Sequence, residues 1–338
     1  MINQIYRLTA PKQIRTEFVD FTLGEENVVV RPSYLSICAA DQRYYTGSRG
    51  RVVMKQKLPM ALIHEGVGEV IYDPKGEFAI GTKVAMVPNT PMEQDEVIKD
   101  NYLRSSKFRA SGFDGFMQSL VVMRRDLIVP FTVQAKVAVL AELTSVAMNA
   151  VETFEKKAHS RREVIGIWGN GNVGFVTALV LKKTYPDSKI VIFGVEDEKM
   201  DYFTFADETY IINDIPEGVQ VDHAFECVGG RASGAAINQI IDYIKPQGSI
   251  MLMGVSEANV EINTRMVLEK GLSLLGNSRS NVEDFRKSIE LMERYPDVCS
   301  YLSTIISEEV KVKNIADMHK AFENDLNNKF KTIMKWEI

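Results

Sequence analysis

Two textures of apolar and polar residues divide this chain. Up to about residue 140, β-branched or alternating runs such as Val28-Val29-Val30 and Gly68-Glu69-Val70-Ile71-Tyr72 are short. Turn-forming stretches punctuate them, among them Asp73-Pro74-Lys75-Gly76 and Val87-Pro88-Asn89-Thr90-Pro91. That pattern predicts an antiparallel, barrel-like β domain rather than a helical one. From about residue 142, apolar runs alternate with helical periodicity. Segments 164–168, 189–193, 209–212, 222–227, 249–253 and 272–275 read as buried strands, with helices between several of them, including 173–183 and 233–244. Repeated strand–helix–strand units imply a parallel sheet covered on both faces, and six strands complete a doubly wound dinucleotide-binding domain. After about residue 279, Phe285, Ile289 and Met292 form one apolar helical face, and the last residues, Thr332 to Ile338, read as a closing strand.

The length of 338 residues fits about two domains. A formal net charge of -5 leaves no basic excess to neutralise phosphates, which argues against a general nucleic-acid or membrane-surface binder. Cys38, Cys227 and Cys299 are too few and too scattered for a disulfide framework, as expected of a reducing cytoplasm. The opening stretch lacks the apolar core of a signal peptide, and no uninterrupted apolar run reaches the ~18 residues of a spanning helix. A cytoplasmic protein is expected.

The run Gly169-Asn170-Gly171-Asn172-Val173-Gly174 follows the strand pattern ending at Trp168 and opens a helical one. Gly169 permits a tight turn, Gly171 lets backbone approach a pyrophosphate, and Gly174 lets the helix pack closely on the sheet. The helix N-terminus offers unpaired amides to phosphate. An NAD site wants an acid about 20 residues beyond, on the ribose 2′-hydroxyl. Counting from Gly174 lands on Gly194, where nothing repels a 2′-phosphate, and Lys199 nearby offers it a base. NADPH is therefore expected over NADH, although a slip of two residues would make Glu196 the ribose-binding acid.

Cys38, the pair His64-Glu65, and Glu142 all precede this turn. Singly, each has a bland reading: a small buried hydrophobe, a polar strand end, a helix N-terminal carboxylate. Jointly, thiolate, imidazole and carboxylate are the ligands of an open catalytic zinc site.

These residues resemble the zinc-dependent medium-chain alcohol and polyol dehydrogenases. Cys38, Gly-His-Glu-Gly-like His64-Glu65-Gly66, and Glu142-Leu143-Thr144-Ser145-Val146 match that family's catalytic zinc segments. Asp114-Gly115-Phe116-Met117-Gln118, Phe225 through Gly230 and the stretch 248–255 match its other motifs, which places Val228 and Gly254 at the cofactor. The resemblance covers essentially the whole chain. It implies a GroES-like β-barrel catalytic domain over 1–142, a Rossmann domain over 143–278, and a return of 279–338 to the catalytic domain. A closer resemblance, carried by Ser36 through Arg49, by 62–70 and by Phe225 through Arg231, is to the family's bacterial pentulose-phosphate reductases. It implies reduction of D-ribulose 5-phosphate to D-ribitol 5-phosphate with NADPH, feeding CDP-ribitol to teichoic acid synthesis. A homodimer is implied, and a cytidylyltransferase partner is suggested. In this reading Cys38, His64 and Glu142 hold zinc, with Glu65 as an exchanging or fourth ligand, and the metal polarises the substrate carbonyl.

Two departures matter. The region 84–116 has no cysteine, so one zinc is expected, without the structural zinc many members carry. Ala40 stands where many members have a proton-relaying Ser or Thr, so the proton path runs through water, Glu65 or a substrate hydroxyl. Arg43, Arg49, Arg51, Lys55 and Lys57 concentrate positive charge near Cys38. Arg43 and Arg49 are candidates for the substrate phosphate, while Arg51 and Lys55 read as a solvated face. Tyr44 and Tyr45 either bond sugar hydroxyls or pack. The competing readings are an NAD-dependent oxidation of an unphosphorylated polyol, and a zinc-free nucleotide-binding regulator.

Overall fold

In the computed structural model, residues 2–338 are described, and the chain divides into two compact units. One comprises the residues up to Ser145 together with Ser280–Ile338, the other Val146–Arg279. Among the described residues, no helix is long and apolar enough to cross a membrane.

The first unit is built on a largely antiparallel sheet of seven strands. At its centre, Asn27–Ser36 lies between Glu65–Tyr72 and the closing strand Lys331–Trp336, antiparallel to both. Val28, Val29, Val30, Leu35, Val70, Ile333 and Met334 on these strands are all fully buried, so the middle of the sheet is covered on both faces. Register decides what meets at one end of the sheet. Ser36 lies opposite Glu65 on one side and opposite Ile333 on the other. The chain leaving Ser36 toward Cys38 therefore meets His64-Glu65 and the start of the last strand.

The unit is not wholly β. Helices span Ala39–Tyr45 and Arg51–Lys57, within the stretch whose texture predicts strands and loops. The first is nucleated locally: the Asp41 carboxylate accepts the Cys38 amide at 3.3 Å, a carboxylate in the first turn that reaches back to the residue before the helix.

The second unit holds six strands, Val164–Trp168, Lys189–Gly194, Glu208–Ile211, His223–Glu226, Ser249–Leu252 and Ser273–Gly276. All pair in parallel. Numbered along the chain, they lie in the order 3-2-1-4-5-6, the doubly wound arrangement, whose ligand crevice opens where the order reverses, at the carboxyl ends of the first and fourth. Trp168 stacks on Phe193 with ring centroids 3.9 Å apart, fixing the ends of the first two strands against each other.

At the opposite, amino end of the fourth strand, His223 is fully buried against Phe154 and His159. Its Nδ1 accepts the Ser249 amide at 3.1 Å, so the ring is held neutral. Burial, with His159 adding to it, pushes its pKa down to about 4. The unfolded chain takes a proton near pH 6.5 that the folded unit refuses, so stability falls as pH drops from 6.5 toward 4. Between pH 7 and pH 5 the native protein should lose roughly 2 kcal/mol that a His223→Asn variant does not lose. Denaturant melts of the two proteins at both pH values check this, and parallel losses would refute it.

Candidate active site

Among the described residues, one group of metal-type donors stands together: the Cys38 thiol, a His64 ring nitrogen and a Glu65 carboxylate oxygen all lie within 4.8 Å of one another. Asp41 organises the group, and sequence reasoning missed it. One of its oxygens accepts the Ile63 amide at 2.9 Å, while the other lies 3.3 Å from the Cys38 amide and 3.4 Å from His64 Nδ1. A carboxylate on Nδ1 leaves Nε2 to face a metal, the usual arrangement behind a ligating imidazole. Burial alone would lower the His64 pKa, but Asp41 and Cys38 outweigh it and hold it well above the ordinary histidine value. A divalent cation needs the neutral ring, so it would displace that proton on binding.

The backbone entering His64 is strained. Ile63 has φ of 70°, a left-handed conformation that a β-branched residue adopts at a cost. Its amide is held by Asp41, and its carbonyl accepts the Phe116 amide at 2.7 Å, so the site enforces the turn.

Lys331 is the second residue that sequence reasoning missed. Its ammonium donates to both Glu65 oxygens, at 2.6 and 2.7 Å, and to the Ile37 carbonyl at 3.0 Å. Both side chains are almost fully buried, at 3% and 1% exposure. Burial opposes the charge on Lys331, but Glu65, Cys38 and Glu142 around it keep it charged. Glu65 therefore stands with the donor group while paired to a cation.

Glu142 is not among the three donors that converge. It lies in the first turn of the helix Ala141–Lys157, buried, within electrostatic reach of His64, Glu65 and Lys331. Burial pushes its carboxyl up to about 7; Glu65 and Asp41 add to the rise, and His64 and Lys331 oppose it. Arg43 and Arg49 are half-buried on and just after the helix Ala39–Tyr45, with the Arg49 guanidinium 4.7 Å over the Tyr44 ring. Tyr45 packs: it stacks on Phe322, and its hydroxyl pairs with His319 Nδ1 at 2.8 Å. Arg51 and Lys55 are exposed. The cysteine-free segment after Pro91 is held by its own side chains, with Asp95 accepting the Val97 and Ile98 amides.

In the second unit the glycine turn has the form its spacing implies. Gly169 has φ of 115°, and a Cβ on Gly174 would stand 1.8 Å from the Gly169 carbonyl oxygen, so only glycine lets the helix Asn172–Thr184 start so close. Gly171 faces open space, which leaves room for a pyrophosphate. A cavity of about 420 Å³ opens beside the turn, lined by Gly169, Gly171, Gly194, Val228 and Gln239 among others. Asn172 and Val173 begin the helix, and Lys199 is paired with Glu196 at 2.8 Å instead of lining the cavity. Gly254 packs under the loop: its amide and those of Val228 and Gly229 donate to the buried Glu226 carboxylate. Cys227 is largely buried at the edge of the same cavity, and burial raises its thiol pKa well above the usual range, which leaves it a poor nucleophile.

A dinucleotide cradle on a doubly wound sheet, in one chain with a largely buried thiol–imidazole–carboxylate group on a mostly antiparallel unit, defines a medium-chain dehydrogenase. Comparison with known proteins agrees. The family model for the alcohol dehydrogenase GroES-like domain matches residues 24–133, and that for the glucose dehydrogenase C-terminus matches residues 135–336. The ribulose-5-phosphate reductase of Bacillus spizizenii is 53% identical over 341 residues, covering 100% of both chains. Ribulose-5-phosphate reductase 1 of Staphylococcus aureus is 53% identical over 339 residues, covering 99% of each. The crystal structure of S. aureus TarJ in complex with NADPH has 48% identity and a TM-score of 0.90, covering 100% of both chains. This chain belongs to the medium-chain alcohol dehydrogenase family, among its ribulose-5-phosphate reductases.

Proposed function

We propose that this protein reduces D-ribulose 5-phosphate to D-ribitol 5-phosphate with NADPH, using one zinc ion held by Cys38, His64 and Glu142, with Glu65 as the exchanging ligand. The observation that carries the reading is the convergence of Cys38, His64 and Glu65 in a chain 53% identical, end to end, to ribulose-5-phosphate reductases. When bound, zinc supplies a Lewis acid at a carbonyl oxygen and the nicotinamide supplies hydride. The chain's own residues prepare the site. Asp41 fixes the His64 ring and the Cys38 backbone in one geometry. Lys331 holds Glu65 beside the donors, ready to move between ammonium and metal. Gly171 and the first turn of the helix Asn172–Thr184 receive the pyrophosphate.

Arg43 and Arg49 bind the substrate phosphate in this reading, since guanidinium forks suit phosphate oxygens and the chain is otherwise acidic. The product feeds CDP-ribitol synthesis for teichoic acid, in the cytoplasm, alongside a cytidylyltransferase. The protein is a homodimer through the strand Ser273–Gly276, which edges the parallel sheet beside a helix exposing Leu268, and its mass in solution tests this.

The assay offers ribulose 5-phosphate, ribulose and xylulose 5-phosphate to zinc-loaded enzyme, each with NADPH and with NADH. Rapid oxidation of NADPH with ribulose 5-phosphate alone is expected. Arg43→Ala should raise the KM for ribulose 5-phosphate by roughly 10- to 100-fold, the loss of a charge-assisted hydrogen bond, with little change for ribulose. Equal rates with ribulose and its phosphate would assign the enzyme to unphosphorylated polyols instead.

A further inference from the structure

We propose that Asn170, between the first two glycines of the turn, is a positioning residue for cofactor discrimination: its side chain occupies the space an NAD-type acid at position 194 would need. The proposal rests on the NADPH reading above. Gly194 ends the second strand of the parallel sheet and lines the cofactor cavity. Its backbone does not demand glycine, since its φ lies outside the left-handed region. Space does. A Cβ there would stand 2.4 Å from Asn170 Cγ, 2.6 Å from Asn170 Nδ2 and 2.6 Å from Met200 Cε.

The Asn170 side chain cannot easily step aside. The residue is 4% exposed, and its Nδ2 donates to the Glu196 carbonyl at 2.7 Å while touching Met200 Sδ at 3.7 Å. The same carbonyl accepts the Lys199 amide at 3.2 Å, in the first turn of the short helix Asp197–Met200. One carbonyl thus joins the pyrophosphate turn to the segment that meets the ribose. Removing the amide would leave a buried acceptor with one partner fewer and free the turn that carries Glu196 and Lys199.

Two consequences follow for a 2′-phosphate. No carboxylate can enter at position 194 while Asn170 stays in place. Glu196, two residues beyond, is matched by Lys199 at 2.8 Å, so its charge is offset where a 2′-phosphate would lie. Asn170 therefore favours the phosphorylated ribose without touching it.

Binding of NADPH and of NADH to the zinc-loaded enzyme, followed by fluorescence titration, tests this with Asn170→Ala, Gly194→Asp and the double variant. Gly194→Asp alone should weaken both cofactors by about tenfold or more, because the new side chain has no room. Asn170→Ala should lower the NADPH-to-NADH affinity ratio by about threefold or more with its melting temperature little changed. The double variant should bind NADH about tenfold more tightly than Gly194→Asp does, and prefer NADH to NADPH. Met200→Ala in the Gly194→Asp background, which clears the other neighbour but leaves Asn170, should not restore NADH binding to that degree. The proposal is overturned if Gly194→Asp alone binds NADH as well as the double variant, or if Asn170→Ala leaves the ratio unchanged. A native enzyme preferring NADH would refute the NADPH reading instead; the comparison of single and double variants for NADH would still decide the role of Asn170.

Discussion

Cys38→Ser should strip the chain of tightly bound zinc and lower turnover by roughly a thousandfold, leaving the fold intact. The substitution swaps sulfur for oxygen in the same space, at the residue that leads into the helix Ala39–Tyr45. A serine hydroxyl ionises far less readily than a thiol and is a much poorer zinc ligand, so one of the converging donors is lost. A Lewis acid supplies several kcal/mol to carbonyl reduction, and about 4 kcal/mol corresponds to three orders of magnitude in rate. The two readouts are zinc per chain by elemental analysis and kcat with ribulose 5-phosphate. Backbone around the site should survive, because Asp41 bonds the amide of residue 38, not its side chain. Full activity in a metal-free variant would sink the mechanism. Zinc retained with activity lost would leave the metal site to His64, Glu65 and Glu142, and give Cys38 another task.

The parallel unit was the more legible half of the chain. Its strands are buried on both faces, so each appears as an apolar run without alternation, and 189–193 against Lys189–Gly194 shows how closely such runs mark real boundaries. The glycine turn was legible because its chemistry is local: Gly169, Gly171 and Gly174 act on one another within a single turn. The donor site was legible only as residue types. Cys38 and Glu65 meet because Ser36 pairs with Glu65, and Lys331 joins them because Ile333 pairs with Ser36. Register between distant strands leaves no periodic trace in either segment, so a lysine near the end of the chain gave no sign of facing Glu65. Asn170 was hidden differently. Motif spacing names the glycines and treats the residues between them as free, whereas here the intervening side chain fills the space beside Gly194.

Lys331→Met should destabilise the metal-free protein by about 3–5 kcal/mol, the usual result of removing one partner from a buried ion pair. Glu65 is 1% exposed, and its neighbours Asp41, Cys38 and Glu142 offer it no compensating charge apart from His64. The Ile37 carbonyl would lose its lysine donor as well. The cost belongs mainly to the stranded carboxylate, not to the ion pair as a net source of stability, because desolvating both charges opposes their attraction. Glu65→Gln/Lys331→Met should therefore recover most of the lost stability, since a neutral amide needs no cation. Denaturant melts of the native protein, both single variants and the double variant give the coupling energy directly. A loss under about 1 kcal/mol for Lys331→Met, or a double variant as unstable as that single, would count against Lys331 as the counter-ion of Glu65. Zinc should blunt the effect. If Glu65 exchanges between ammonium and metal, a bound cation takes over the role of Lys331, and adding zinc should restore more stability to Lys331→Met than to the native protein.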